Sequence, residues 1–285
     1  MKRKLLDEVL SQRPTVPLYH YTQQNGFLGI IQGAEIWATH TQYLNDLREY
    51  LHAVDMVRDQ IRAIQAFGDP SLRQILQEME AGLDGIESMN VCVCSFSEER
   101  DSLSQWRAYG ASSSGFAIGF SGSFIGEVAD RENWFFAPCI YDPRKQSELI
   151  SALVQEVIEQ NVAREKSSAK EEIRLPPGGN LNAYLHRYAP ILKGHSFREE
   201  KEWRLISRPL MCSSKAFEFR AGNSMLIPYY KLRLGADPAA LKIKEVVVGP
   251  TPHPHQSAMS ARSFLVRHSL RDVEVVPSAV PYRSW

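Results

Sequence analysis

The sequence predicts an α+β fold, and three observations carry that expectation. Short β-prone runs are scattered between amphipathic helices of unequal length, no regular strand–helix–strand spacing supports a doubly wound parallel sheet, and no internal repeat or low-complexity segment is visible. Composition fits a packed globular chain, with 44% hydrophobic and 23% charged residues. At 285 residues the chain can bury a large core. No long linker interrupts it, so a single domain over 1–285 is expected.

Leu18-Tyr-His-Tyr-Thr22 follows two prolines and is aromatic and β-prone, so it reads as a strand. Asn25 to Ile31 suggests a brief helix that Gly33 ends, and Glu35-Ile-Trp-Ala-Thr39 a second short strand. Leu47, Leu51, Val54, Val57, Ile61 and Ile64 then recur at the spacing of one helical face. Asp46 with Glu49 resembles a capping box that starts this helix. A further helix is expected from Ser71 to Gly82. Asn90-Val-Cys-Val-Cys-Ser-Phe-Ser97 has the content of a buried strand.

Ser102-Leu-Ser-Gln105 has capping-box spacing and Gly110 supplies a stop, which predicts a helix over Leu103 to Tyr109. Gly115 to Phe120 alternates so that Phe116, Ile118 and Phe120 share one strand face. A long amphipathic helix is expected from Lys145 to Lys170, then a loop at Pro176-Pro-Gly-Gly-Asn180, then a helix from Asn182 to Leu192. Glu200 to Ile206 reads as a strand with Glu200, Glu202 and Arg204 on one face and Trp203 and Leu205 on the other. Lys244 to Gly249 and Val273 to Val276 are the last expected strands, with a helix between them from Gln256 to His268.

Lys+Arg and Asp+Glu each total 33, so no global charge attracts nucleic acid or anionic lipid. No signal peptide and no membrane-length apolar run is visible, and a cytoplasmic location is expected. Cys92, Cys94, Cys139 and Cys212 lack both disulfide-framework and zinc spacing and are expected as reduced, buried thiols. There is no phosphate loop, no His-Glu-x-x-His and no nucleophile elbow. His253-Pro-His255 reads as a solvated turn.

The informative residues are polar side chains inside apolar strands, because an unpartnered buried charge or imidazole is costly. His20 stands between two tyrosines as either a satisfied core histidine or a ligand contact. Ser95 and Ser97 either cap their strand or face one cleft. Asn45 and Asp46 read most simply as helix caps. Trp106 and Tyr109, three apart on one short helix, serve as core or as a stacking platform. Glu200 and Glu202, like charges on one face, are solvated, paired with Arg204 and nearby cations, or held together for chemistry.

Leu18-Tyr-His-Tyr-Thr22, Glu35-Ile-Trp-Ala-Thr39, Tyr43-Leu-Asn-Asp46, Cys94-Ser-Phe-Ser-Glu98, Ser104-Gln-Trp106, Gly115-Phe-Ala-Ile-Gly-Phe120, Glu202-Trp-Arg204, Val246-Val-Val-Gly-Pro250 and Pro281-Tyr-Arg283 together resemble a widespread bacterial domain-of-unknown-function family, number 2971, over about residues 17–283. That family name carries no activity. A fainter resemblance is to ADP-ribosyltransferase folds, in which an opening Tyr-His strand, a Ser-x-Ser strand and a final Glu-x-Glu complete an NAD cleft. Here His20, Ser95-Phe-Ser97 and Glu200-Lys-Glu202 match those motifs in order, with His20 suiting the His-Tyr-Glu branch and the other two the Arg-Ser-Glu branch.

The resemblance implies a central mixed, mostly antiparallel, split sheet flanked by helices. It also implies an enzyme that cleaves the nicotinamide–ribose bond of NAD, its substrate, and passes ADP-ribose to an unknown acceptor, as a toxin or phage-defence effector would. Glu202 would stabilise the oxocarbenium and Glu200 would orient or deprotonate the nucleophile. His20 would hold a ribose hydroxyl, Ser95 and Ser97 would position Glu202, and Arg204 would add a contact to the dinucleotide. Tyr21, Trp37 or Trp106 would stack on nicotinamide. No metal or membrane is required, and a neutralising partner is conceivable. The competing expectation is a non-catalytic nucleotide- or peptide-binding domain of a bacterial stress or defence system. A nuclease ranks below both for want of a metal-ligand cluster.

Overall fold

A computed structural model describes residues 2–44, 47–84, 89–109, 115–166 and 175–281. The caps at Asn45 and Asp46, the stop at Gly110, the end of the long helix at 167–170, and Tyr282 and Arg283 fall outside these residues. The architecture is mixed α and β: one large, mostly antiparallel open sheet flanked by helices. Its ten strands are β1 (Leu18–Thr22), β2 (Glu35–His40), β3 (Cys92–Ser97), β4 (Phe116–Phe120), β5 (Phe135–Pro138), β6 (Glu202–Ile206), β7 (Phe217–Ala221), β8 (Leu226–Arg233), β9 (Ile243–Val248) and β10 (Glu274–Pro277). Among the described strands, β9 and β10 are the one pair that runs parallel, across a helical crossover.

The path of the sheet is β10-β9-β4-β1-β3-β2-β8-β7, with β6 on β3 and β5 on β6. Strand β6 runs along one edge of β3 through five residue pairs, from Val93 opposite Ile206 to Ser97 opposite Glu202. The other edge is shared. There β1 pairs only where Tyr19 meets Ser97, and β2 only where Thr39 and His40 meet Val93 and Cys92. Both are antiparallel to β3, so β1 and β2 leave it as two prongs of a fork. In the gap, a side chain replaces a backbone rung: His20 Nδ1 lies 3.0 Å from the Ser95 carbonyl oxygen.

Alternation along the strands divides the interior. Leu18, Ile36, Cys94, Phe96, Ile118 and Leu205 face α2 (Gln24–Gly33), α6 (Gly122–Glu132) and α9 (Pro254–Arg267). The opposite face is covered in two separate places. Val93, Ala137 and Ile206 lie under α1 (Lys2–Ser11), α3 (Leu47–Phe67), α4 (Arg73–Leu83), α7 (Pro143–Lys166) and α8 (Pro177–Tyr188). Tyr19, Tyr21, Ala117 and Val247 lie under Trp106 of the short α5 (Leu103–Tyr109). Between the two coverings this face of the fork stays open.

Several expectations change. Glu200 does not belong to β6; it ends a 3₁₀ turn, His195–Glu200, and Lys201 takes the left-handed conformation at φ 41° before the strand starts at Glu202. Pro177 to Asn180 is no loop but the first turn of α8, where proline is tolerated because its missing N–H would have had no helical acceptor. Gly178 there meets Gly82 so closely that a Cβ on Gly82 would sit 2.4 Å from the Gly178 Cα. His253 and Pro254 start α9 in place of a free turn. Helices α1 and α6 and strands β5, β7 and β8 carry no expectation from sequence. All four cysteines are free, and Cys212 is exposed, unlike the other three; burial pushes the Cys92 thiol up to about 12.

Candidate functional site

The open stretch of the fork holds a cavity of about 110 Å³ whose lining includes His20, Tyr21, Ser95, Ser97, Glu200 and Glu202. A second cavity of about 430 Å³ lies against it beside α2 and shares His20, Tyr21, Trp37, Thr39 and Tyr109 as lining. The pair reaches the range of small-molecule sites, roughly 300–1,000 Å³. Three turns of chain account for the convergence. His20 leaves β1 on the face of Leu18 and Phe96, its ring 5.8 Å from that of Phe96, and meets the cavity through the gap of the fork. The period-2 alternation of β3 puts Ser95 and Ser97 on the other, open face, and left-handed Lys201 returns Glu200 beside Glu202.

The two carboxylates meet on one cation. Lys193 Nζ lies 2.6 Å from Glu200 Oε2 and 2.5 Å from Glu202 Oε2. Arg204 Nε donates to Glu202 Oε1 at 2.6 Å, and its other nitrogens reach Glu202 Oε2 at 3.2 Å and the Pro190 carbonyl at 2.5 Å. Burial alone would raise the Glu202 pKa, but Arg204 and Lys193 outweigh it and hold the carboxyl at about 2. Burial likewise disfavours the Lys193 ammonium, and Glu202 with Glu200 reverses this, so it stays charged. These four groups sum to zero charge. Tyr141 fixes the first residue of β6, its hydroxyl accepting from the Glu202 N–H at 2.8 Å.

Of the residues singled out in the sequence, Trp106 and Arg204 do not line the cavity. Trp106 is fully buried edge-on to Tyr21, and its indole N–H donates to Asp101 at 2.6 Å, so it anchors α5 and offers no free face. Arg204 is turned inward onto Glu202. Ser97 does not touch the Glu202 carboxylate; its hydroxyl donates to the Glu200 carbonyl at 2.6 Å and accepts from the Glu99 N–H at 3.0 Å. Tyr21 lines the wall, but its hydroxyl is engaged, donating to the Glu99 carbonyl at 2.7 Å and accepting from the Ser102 N–H at 3.0 Å. Burial lowers the His20 pKa against the opposing bond to Ser95, so the ring is neutral at neutral pH.

Lys193 behind the cavity and three residues that line it escaped the sequence reading of the site or were undervalued in it. Lys193 sits in no motif. Gln105 read as the closing residue of a capping box, yet Ser102 pairs its hydroxyl with that of Ser104 at 2.9 Å and Gln105 lines the cavity instead. Tyr109, one turn further along α5, lines both cavities; burial and then the charge of Glu202 push its hydroxyl up to about 12. Trp37, 49% exposed and stacked on Tyr229 at 4.4 Å, is the aromatic ring most open to a ligand. The signal that could have found Gln105 and Tyr109 is their i, i+4 spacing, which puts both on one face while Trp106 points to the core.

Among the described residues, no group of three or more His, Cys, Asp or Glu side chains could hold a metal ion, and no helix is long and apolar enough to cross a membrane. Residues 105–205 match the model of a family described as "Protein of unknown function (DUF2971)". The matched stretch contains Gln105, Tyr109, Lys193, Glu200, Glu202 and Arg204, while His20, Ser95 and Ser97 precede it. No curated protein and no solved structure matches the chain.

Proposed function

We propose that the chain is an ADP-ribosyltransferase-like enzyme that cleaves the nicotinamide–ribose bond of NAD and transfers ADP-ribose to an acceptor. The observation that carries this reading is the convergence of His20, Ser95, Ser97, Glu200 and Glu202, from distant parts of the chain, on one cavity. The bond from ribose C1′ to the ring nitrogen breaks with its electron pair leaving on nicotinamide. The acceptor's nucleophile then bonds C1′, and the proton it loses passes to Glu200. Glu202 supplies fixed negative charge beside the developing oxocarbenium, Ser97 holds the Glu200 backbone, and Trp37 with Tyr109 offers aromatic faces to a planar ring.

One observation favours a second reading, a domain that binds a nucleotide without cleaving it. Both oxygens of Glu202 already face cations, which weakens the field it presents to a positive centre. Incubation of the full chain with NAD, with chromatographic measurement of released nicotinamide, decides between them. The transferase reading expects release that falls about 100- to 1,000-fold in Glu202→Gln. Since Glu202 also balances two buried cations, Glu200→Gln serves as the companion variant, expected to impair transfer to an acceptor more than hydrolysis. A ligand-induced melting shift with NAD but no nicotinamide release would establish the binding reading.

A further inference from the structure

Gln105 is 6% exposed and lines the cavity, and its carboxamide makes no hydrogen bond with any described residue. A carboxamide bonded to no described protein group and turned to a cavity takes its hydrogen bonds from whatever fills that cavity, water or ligand. Its position is also fixed. Next to it Trp106 is clamped to Asp101, whose carboxylate accepts from Ser278 Oγ at 2.6 Å and the Ala279 N–H at 2.7 Å. The Ser102 N–H is tied to Tyr21. The α5 backbone therefore holds Gln105 still while its side chain faces open space.

The surroundings define what that side chain meets. Tyr109 lies one turn along the same helix face, and Trp37 faces both cavities with one side of its ring on Tyr229. A carboxamide carries one acceptor oxygen and a two-proton donor nitrogen side by side, so its complement is a neutral edge with a donor beside an acceptor. A full carboxylate is a poor match, being acceptor-only and next to Glu200 and Glu202.

We propose that Gln105 is the specificity determinant of this cavity, reading the neutral donor–acceptor edge of an aromatic ring held against Trp37 and Tyr109. The carboxamide of nicotinamide and the amino-and-ring-nitrogen edge of adenine both have that chemistry. Naming these rings rests on the NAD reading above, since they are the two ends of that molecule.

Calorimetric titration of the full chain with two matched pairs of mononucleotides tests this: nicotinamide against 3-acetylpyridine mononucleotide, and adenosine against purine riboside 5′-monophosphate, the second member of each pair being uncharged at that edge and lacking the amino donor. Within each pair only the edge differs. The expected result is a preference of roughly tenfold to a hundredfold for the neutral donor–acceptor member of one pair. That preference disappears in Gln105→Leu and in the uncharged, near-isosteric Gln105→Met, which lacks the carboxamide's donor and acceptor; if the leucine variant fails to fold, the methionine variant alone carries the comparison. Preference in the nicotinamide pair assigns the cavity to the leaving ring. Preference in the adenine pair without nicotinamide release upholds the role of Gln105 and overturns the transferase reading. Equal binding within both pairs, or a preference that survives in the variants, overturns the role of Gln105 even if NAD is cleaved. Failure to bind any of the four overturns both.

Discussion

At the scale of single residues, Lys193 decides the electrostatics of the cleft. It is almost wholly buried between Glu200 and Glu202, and removing it leaves Arg204, on Glu202, as the cation paired with the two carboxylates among the described residues. Breaking a buried ion network on one side costs about 3–5 kcal/mol. Lys193→Met is therefore expected to lose about that much stability in urea unfolding, and adding Glu200→Gln should recover part of it by restoring neutrality; additive losses would refute the coupling. His186 on α8 is a second test. Both ring nitrogens are buried without a hydrogen-bond partner among the described residues, and burial lowers its pKa from 6.5 to about 4. Its contribution to stability is complete above pH 6.5 and fades as pH falls toward 4, amounting to about 2 kcal/mol between pH 6.5 and 5. His186→Leu should flatten that part of the pH–stability profile, and an unchanged slope would refute the assignment. Neither residue was legible in the sequence as a determinant, because Lys193 and His186 lie in no motif and their meaning depends on what folds against them. Glu202 and Arg204 were legible as a pair sharing a strand face, whereas the cation between the two glutamates was not.

At the scale of elements, periodicity foretold the helices whose inner faces are strongly apolar. Val54, Val57 and Ile61 of α3 are buried as their spacing requires, and Phe116, Ile118 and Phe120 of β4 share one face. Helix α8 was read late because its first turn, Pro177-Gly-Gly-Asn180, is written in loop residues. The glycines are there for contact, with α4 and α8 touching backbone to backbone at Gly82 and Gly178. Gly82→Ala separates two physical outcomes. Helix propensity alone would stabilise by up to about 1 kcal/mol. The crowded contact predicts the opposite sign, a loss of about 1–3 kcal/mol from forced separation of the helices. Thermal unfolding of this one variant reads the sign directly. The hairpin of β7 and β8 went unread although Phe217-Glu-Phe-Arg-Ala221 alternates as a half-buried strand would; at the sheet edge that pattern does not set burial, and Phe219 is exposed.

At the scale of the whole molecule, the fork makes the cleft a joint property of two prongs. His20 and Tyr21 come with β1, Trp37 and Thr39 with β2, and backbone pairing near the cavity joins each prong to β3 at only one or two positions. A ligand in the cavity bridges the prongs. NAD at a hundred times its dissociation constant should stabilise by about 2.7 kcal/mol, raising the melting temperature by several degrees at roughly 2 °C per kcal/mol. Amide exchange should slow in β1 and β2 together, and His20→Ala should abolish most of the shift. Protection confined to one prong would place the ligand elsewhere. Sequence carried the strand types and their polar insertions. It could not carry the fork, because which edge of β3 is shared is settled by pairings far apart along the chain.

Those distant pairings also bear on how the chain comes into being. Ser97 and Glu200, which its hydroxyl holds, are 103 positions apart, and β6 follows directly after Glu200. When the ribosome has released β1 through β4, the far side of β3 still has no neighbour. The run Cys92–Ser97 is uncharged and densely apolar, and until β6 arrives it presents an unpaired row of amides and carbonyls, the surface on which nascent chains stick to one another. The last carboxylate of the cleft and the protection of its central strand therefore arrive in the same step. A polypeptide interrupted before Glu202 lacks both, so the cleft cannot form on a chain whose central strand is still open to aggregation.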